Sequence, residues 1–166
     1  VRPFLLPPRV MPCHLNLVVG NALDLIHMET LHGLDFLTSP KIEVGDPFRI
    51  TVHLQQTARS RALRILNGLS KEGIDWSFTV WGGSIALAEI RTPIPLRILF
   101  TGQPNPDGSC LAQIVLFLES LSPRYLLRVT TLLYLLLKDD HRVLDGLDFS
   151  RGFTDGAGMV AALSAS

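Results

Sequence analysis

The spacing of apolar side chains changes along the chain and separates helical from extended segments. From Asn16 to Leu31 the apolar positions recur with the period of a mostly buried helix, and Gly33 is a natural stop for it. From Phe48 to Gln55 apolar and polar residues alternate, which predicts a half-buried strand. Residues Ser60–Leu69 return to a helical period. The first half of the chain is therefore predicted as helix, strand and short helix.

Alternating segments follow, and a long helix comes after them. Strands are predicted over Ile74–Trp81, Ile85–Glu89, Ile94–Phe100 and Leu111–Leu118. Gly82-Gly83 is typical of a hairpin turn, and residues 104–108 are typical of a loop. Ser122 is a good N-cap before a first-turn proline, so a helix is predicted from Tyr125 to about Leu144.

This order of elements predicts an α+β domain. A curved antiparallel sheet packed around one long C-terminal helix, the helix-grip fold of the START/Bet v 1-like type, is the most economical arrangement. Four prolines among residues 1–12 predict an extended connector over 1–15. A helix-grip domain over 16–150 and a C-terminal tail over 151–166 follow. The inward faces are rich in large apolar residues, so a cavity beside the helix would take an apolar or aromatic ligand.

Composition excludes several classes of function. Fifteen basic and fifteen acidic residues among 166 leave no net charge to attract nucleic acid or anionic lipid. No apolar stretch approaches the roughly twenty residues of a membrane-spanning helix. The two cysteines, Cys13 and Cys110, cannot form a disulfide framework or a zinc ribbon, and this usage suits a reducing, cytoplasmic compartment.

Four polar residues interrupt the apolar first helix: Asn21, Asp24, His27 and His32. Each needs a partner, because an unsatisfied buried polar group costs roughly 1–3 kcal/mol. Asp24 and His27 share one helix face, where the carboxylate can accept from the imidazole N–H. His27 and His32 are five positions apart, about 140° around a regular helix. Both can face one point only if the backbone is irregular between Met28 and Gly33.

Two imidazoles with one carboxylate are the donor set of a mononuclear non-haem iron site, which leaves coordination positions open for oxygen. The last helix carries Asp139 and Asp140, and Asp140 shares the leucine stripe of that helix. We therefore expect Asp140 to point inward and Asp139 outward. Two other interpretations stay open: core histidines bonded to the backbone, with Asp24 satisfying one of them, or a hydrolytic zinc ion with Asp24 as general base.

Two segments resemble a known family. Leu17–Gly33, LVVGNALDLIHMETLHG, closely resembles the mononuclear-iron segment of the Rieske-type non-haem iron aromatic-ring-hydroxylating oxygenases. Lys138–Asp145, KDDHRVLD, resembles the acidic stretch on the last long helix of that family. The resemblance implies the catalytic domain of the alpha subunit, which has a helix-grip fold.

The same resemblance implies roles for the polar residues. Fe(II) would be held by His27, His32 and Asp140. Asp24 would be the bridging carboxylate that hydrogen-bonds a ligand histidine and relays electrons. Asn21 matches the asparagine that lies near the iron in the family.

The family's chemistry is hydroxylation or oxidative demethylation of aromatic or polycyclic apolar compounds with O2. Electrons come from NAD(P)H through a reductase or ferredoxin and a Rieske 2Fe–2S cluster, typically in the neighbouring subunit of a homotrimer. The cluster needs Cys-x-His and Cys-x2-His pairs, which this sequence lacks, so it would be supplied from outside this chain. Because the sequence begins at Val1 rather than Met, we expect it to be the iron-binding part of a longer protein. The alternative function is a helix-grip module that binds an apolar ligand without redox activity.

Overall fold

A computed structural model describes residues 1–46, 48–59 and 73–146 of the chain. Within these ranges the side chains of 21, 22, 46 and 135–146 are not described. The short helix predicted over Ser60–Leu69 and the tail predicted over 151–166 therefore lie outside the described residues.

The described residues form an α+β fold with an antiparallel sheet of nine strands and three helices. The strands are β1 (Arg2–Leu5), β2 (Arg9–Met11), β3 (Leu34–Phe36), β4 (Lys41–Asp46), β5 (Arg49–Ala58), β6 (Ile74–Trp81), β7 (Ile85–Thr92), β8 (Leu96–Pro104) and β9 (Cys110–Leu118). The helices are α1 (Leu15–Leu23), α2 (Leu25–Thr30) and α3 (Pro123–Gly146). In space the strands follow the order β1-β9-β8-β7-β6-β5-β3, with β2 beside β9 and β4 beside β5. None of the described helices combines the length and hydropathy that a membrane span requires.

One face of the sheet, the inner face, carries the apolar side chains that the alternation predicts. In register across it, Phe78 pairs with Val52 on one side and with Ala88 on the other, and Ala88 pairs with Ile98. All four side chains are buried. Val19 of α1 and both Val129 and Leu132 of α3 belong to the same buried core. The core therefore contains residues of the inner face and of helices α1 and α3.

Two strands within the first eleven residues, β1 and β2, belong to the sheet. Phe4 of β1 pairs with Leu116, and Met11 of β2 pairs with Cys110, so both strands lie along β9. Pro7 and Pro8 fall between the two strands, where no ladder hydrogen bond is required of them. The sequence predicts an extended connector over 1–15, and the strands here are indeed extended. They also pair with β9, however, so this segment forms part of the sheet as well as leading into the domain.

Neither β3 nor β4 is predicted from the alternation. β3 has only three residues, too few for a period of two to stand out. β4 is an edge strand whose apolar residues Ile42 and Val44 are exposed, 59% and 73% respectively. Both strands form by pairing with β5, which is a long-range interaction that local sequence does not report.

Two boundary predictions are confirmed. Gly82 and Gly83 lie in the turn between β6 and β7 with φ of 56° and 77°, a left-handed conformation that glycine adopts without strain. Ser122 caps α3, because the backbone N–H of Tyr125 donates to its Oγ at 3.3 Å.

The opposite, outer face of the sheet carries ion pairs. The guanidinium of Arg91 lies 2.7 Å from the carboxylate of Asp75, and Arg97 lies 2.9 Å from Glu89. The hydrogen bond from Arg91 lowers the pKa of Asp75. These partly exposed pairs explain the polar half of the strand alternation and contribute little to stability individually.

Candidate functional site

The polar first segment folds as two helices because the chain bends at Asp24. The backbone of Asp24 is extended, with φ −76° and ψ 100°, between the end of α1 and the start of α2. Its Oδ1 accepts hydrogen bonds from the backbone N–H of Ile26 at 3.0 Å and of His27 at 3.1 Å. Asp24 is therefore the N-cap of α2. Its carboxylate accepts hydrogen bonds from backbone N–H groups in the first turn that have no acceptor within the helix. The prediction of one continuous helix from Asn16 to Leu31 is therefore wrong at this residue.

Asp24 thus holds the backbone of His27. The sequence predicts a bond from its carboxylate to the imidazole, but its side-chain bonds among the described residues go to the two amides. The carboxylate turns onto the N-terminus of α2 because Asp24 lies outside both helices. Asp24 is accordingly a positioning residue for the turn from which His27 projects.

We expect Asp24→Ala to lower the free energy of unfolding by about 1 kcal/mol, because the substitution removes the cap of α2. Asp24→Asn is the matched control, since its side-chain oxygen can still accept from the two amides. Urea unfolding followed by far-ultraviolet circular dichroism measures both variants. Equal stability of the alanine and asparagine variants would contradict the capping role.

The segment after α2 has the irregular backbone that the spacing of the histidines predicts. The helix ends at Thr30, and Gly33 has φ +61°, a left-handed conformation that favours glycine. The backbone N–H of Arg59 donates to the Gly33 carbonyl at 2.8 Å, which fastens this turn to the end of β5. His32 therefore lies outside the helix and can turn back toward His27.

The imidazoles of His27 and His32 meet at this turn. Their Nε2 atoms are 3.1 Å apart, and the ring centroids are 4.8 Å apart with the planes at 80°. Both residues are half-buried, and the Nδ1 atom of His32 is buried. In the absence of a metal, one Nε2 donates to the other according to the tautomers present.

This separation also fits two neighbouring ligands of one metal ion. Metal–nitrogen bonds of about 2.1 Å that meet near a right angle hold their nitrogens roughly 3 Å apart. Imidazole suits iron, zinc and copper alike, so the pair itself does not select the metal. The two histidines thus have the donor atoms and the spacing for two of the three protein ligands of an iron site.

The remaining predicted ligand falls where side chains are not described. Asp139 and Asp140 lie in α3, and Asn21 lies in α1, but only their backbone is described. Among the side chains that are described, no group of three His, Cys, Asp or Glu is placed to hold a metal ion. Asp140 as third ligand and Asn21 as a residue near the iron therefore stay predictions.

An apolar cavity of about 390 Å³ reaches His32. It is lined by the inner face of the sheet and by residues of all three helices, Val19, Met28 and Leu132 among them. Its volume lies within the range of roughly 300–1,000 Å³ that is usual for small-molecule sites. Ala86 and Ala88 of β7 point into it, and their short side chains leave space that larger residues would fill.

Gln56 is a residue of this site that sequence reasoning missed. It is fully buried, and its Oε1 accepts from the indole N–H of Trp76 at 2.8 Å. Trp76 lines the cavity, so Gln56 fixes the orientation of a ring in its wall. The signal was available, because Gln56 continues the apolar parity of Val52 and Leu54 as a polar residue at an inward position.

No protein-family model matches the chain, and no curated protein matches its sequence. Solved structures do match. The crystal structure of dicamba monooxygenase bound to 3,6-dichlorosalicylic acid has a TM-score of 0.64 and 19% identity, covering 95% of this chain and 52% of that chain. The dicamba-bound structure has a TM-score of 0.59 and 18% identity, with coverages of 95% and 51%. The apo structure has a TM-score of 0.56 and 18% identity, covering 92% of this chain and 48% of that chain.

The chain thus spans about half the length of dicamba monooxygenase. At this identity the likeness establishes a shared fold.

Proposed function

We propose that this chain is the iron-binding and substrate-binding domain of a mononuclear non-haem iron oxygenase of the Rieske type. The observation that carries the proposal is the pair of Nε2 atoms of His27 and His32, which lie 3.1 Å apart, with His32 in the wall of an apolar cavity. The resemblance of Leu17–Gly33 to the iron segment of that family and the fold shared with dicamba monooxygenase support it.

In this proposal His27, His32 and Asp140 hold Fe(II), which supplies the activation of O2 when it is bound. Asp24 fixes the helix start that carries His27, and Gln56 fixes the ring of Trp76 in the cavity wall. Asn21 lies near the iron. The apolar wall excludes water and orients an aromatic or polycyclic substrate for hydroxylation or oxidative demethylation. The proposed domain has the helix-grip architecture and includes β1 and β2 as well as residues 16–150.

The residues of this chain do not fit a Rieske cluster. Its two cysteines, Cys13 and Cys110, are both fully buried, and burial raises the pKa of Cys13 to about 11. Two of the four protein ligands of a Rieske cluster are thiolates, which this environment disfavours. We therefore assign the 2Fe–2S cluster to a region outside this chain, in a cytoplasmic homotrimer that receives electrons from a reductase or ferredoxin.

Hydrogen peroxide tests the proposed activity without the missing electron donor. Peroxide replaces O2 plus two electrons: one of its oxygen atoms enters a C–H bond of the substrate, and the other leaves as water. With the chain loaded with Fe(II) and naphthalene as the probe, we expect naphthol that carries oxygen from isotope-labelled peroxide, detected by mass spectrometry.

The matched control is the double variant His27→Ala, His32→Ala treated with the same iron and peroxide. We expect at least about tenfold less naphthol from it, since losing even a residue that only orients a metal ligand typically costs roughly 10–100-fold in metal affinity or activity. Equal product from both proteins would identify free iron as the oxidant and would refute the proposed site.

A ligand-binding module without redox activity is the second candidate. The cavity favours it, because its apolar wall accommodates a ligand whether or not the histidines hold a metal. Native mass spectrometry separates the two functions: a bound apolar compound without iron, after reconstitution with Fe(II), would favour the module.

A further inference from the structure

A second apolar concavity lies beside the cavity, and we call it the groove. It has a volume of about 680 Å³, is open to solvent, and lies between the edge strand β1, its neighbour β9 and helix α3. Among the described residues that line it none is charged, and Thr130 and Tyr134 are the polar ones. Phe4, Leu121 and Tyr134 are 54%, 49% and 61% exposed. Apolar surface left open to water in this way is typical of a binding groove or an interface.

The groove continues into the cavity along β9. Alternate residues of this strand point to the inner face of the sheet. Of these residues, Leu118 and Leu116 line the groove, and Ile114 and Ala112 line the cavity. The six positions from Leu118 to Ala112 span about 20 Å of strand. One strand therefore forms an uninterrupted apolar wall for both spaces.

Two leucines form the boundary between the groove and the cavity. Leu6, just after β1, and Leu133 of α3 line both spaces. Both side chains are half-buried and pack against the hydrophobic core. The backbone of Leu6 is fixed, because its N–H donates to the Ile114 carbonyl at 3.0 Å and its carbonyl accepts from the side-chain amide of Gln113. Rotation of the two leucine side chains therefore controls passage between the groove and the cavity, without movement of the backbone.

The groove opens on the side of the cavity that is remote, along the sheet, from the histidines. β1 and β9 lie at one end of the strand order, and β3, which follows His32 in the chain, lies at the other. His32 borders the cavity and does not border the groove. A molecule that occupies both spaces therefore has one part toward His32 and another part under the first half of α3.

We propose that the cavity and the groove together bind one apolar molecule that is longer than the cavity and passes between Leu6 and Leu133. The shared leucines and the continuous wall of β9 favour such a molecule over a second protein, and the groove has a volume usual for small-molecule sites. Its chemical class is an aromatic or polycyclic head with an uncharged extension, such as an alkyl chain. That this molecule is a substrate rests on the proposed function, in which the head beside His32 is the part that reacts.

Two fluorescent probes that differ in length alone test this inference. N-ethyl-1-naphthylamine and N-dodecyl-1-naphthylamine share an aromatic head that brightens in apolar sites. Each methylene group removed from water raises affinity about fourfold, so a tail that buries three or four of them in the groove should make the long probe bind roughly a hundredfold more tightly. In Leu133→Trp the indole fills the passage. We expect the affinity for the long probe to fall at least about tenfold and that for the short probe to change less than about twofold.

Leu121→Ser tests the groove without disturbing the core, because Leu121 lines the groove alone and is about half exposed. It should weaken binding of the long probe at least about threefold and leave the short probe unchanged. Leu127→Trp is the matched control, since Leu127 is on the same helix as Leu133, is 69% exposed and lines neither space. We expect it to change neither affinity.

Equal affinities of the two probes for the wild-type chain, or equal losses of both in Leu133→Trp and Leu121→Ser, would overturn the proposal. A wild-type dimer that dissociates in Leu121→Ser, seen by analytical ultracentrifugation, would assign the groove to a second copy of the chain and would also overturn it.

The double variant His27→Ala, His32→Ala separates this inference from the proposed function. The preference for the long probe, and its loss when Leu133→Trp is added, should persist there, because neither histidine borders the groove. A wild-type chain that binds no iron would refute the proposed function and leave this inference standing, whereas failure of the probe test would do the reverse.

Discussion

Replacing both His27 and His32 by alanine is expected to abolish Fe(II) binding. The wild-type chain should bind about one Fe(II), and the double variant less than about a tenth of an ion, because two of three ligands are removed. The physical basis is the 3.1 Å separation of the two Nε2 atoms, which already matches neighbouring ligands of one ion. Anaerobic equilibrium dialysis against Fe(II), followed by elemental analysis, measures the stoichiometry.

His53→Ala is the control for this experiment. The imidazole of His53 lies 3.4 Å from the carboxylate of Glu43 on β4, remote from the cavity, and its loss should leave the iron content unchanged. Asp140→Asn tests the third ligand and should weaken binding by roughly 10–100-fold. Iron content that stays the same in the double histidine variant would eliminate the metal site and leave the core-histidine interpretation.

Ala88→Phe is expected to close the cavity. The Ala88 side chain is 4% exposed, lies on the inner face between Phe78 and Ile98, and lines the cavity. A phenyl ring there occupies space that a ligand would use. The uncharged probe N-phenyl-1-naphthylamine, whose fluorescence brightens in apolar sites, measures this effect. We expect its affinity to fall at least about twentyfold, which corresponds to roughly 2 kcal/mol.

We expect the free energy of unfolding of Ala88→Phe to stay close to that of the wild-type chain, although its affinity for the probe falls. Empty apolar volume costs roughly 24 cal/mol per Å³, so filling part of it offsets the usual cost of a larger core side chain. Urea unfolding measures this. Leu87→Phe, which adds the same ring on the outer face of β7, is the control and should change neither property. Undiminished probe binding by Ala88→Phe would show that the ligand site lies elsewhere.

The sequence predicts the strands that have neighbours on both sides better than it predicts the edges of the sheet. Trp76, Phe78 and Val80 alternate strictly because β6 is paired on both edges and buried on one face. β4 has exposed apolar residues and one neighbour, so its alternation has no consistent buried side. Prolines in and around β1 and β2 make this segment look like a linker, and only β9, about a hundred residues away, gives the two strands partners.

In the candidate site, too, the sequence predicts some features and leaves others to the tertiary structure. The five-residue spacing of His27 and His32 requires a helix break if the rings are to meet, and the break is present at Leu31 and Gly33. The sequence does not determine the partner of Asp24. Its carboxylate can accept hydrogen bonds equally well from an imidazole N–H or from backbone N–H groups. Which one it does depends on where α1 ends, and that depends on packing against β6 and β8.

By itself the sequence determined the α+β class, the main strands, the long last helix and the convergence of two histidines. These follow from periodicity, capping residues and spacing, which act within a few turns of chain. Only the tertiary structure decided that Ala86 and Ala88 face inward and that Gln56 orients Trp76. Those features depend on strand register between distant segments, where a shift of one residue moves every side chain to the other face.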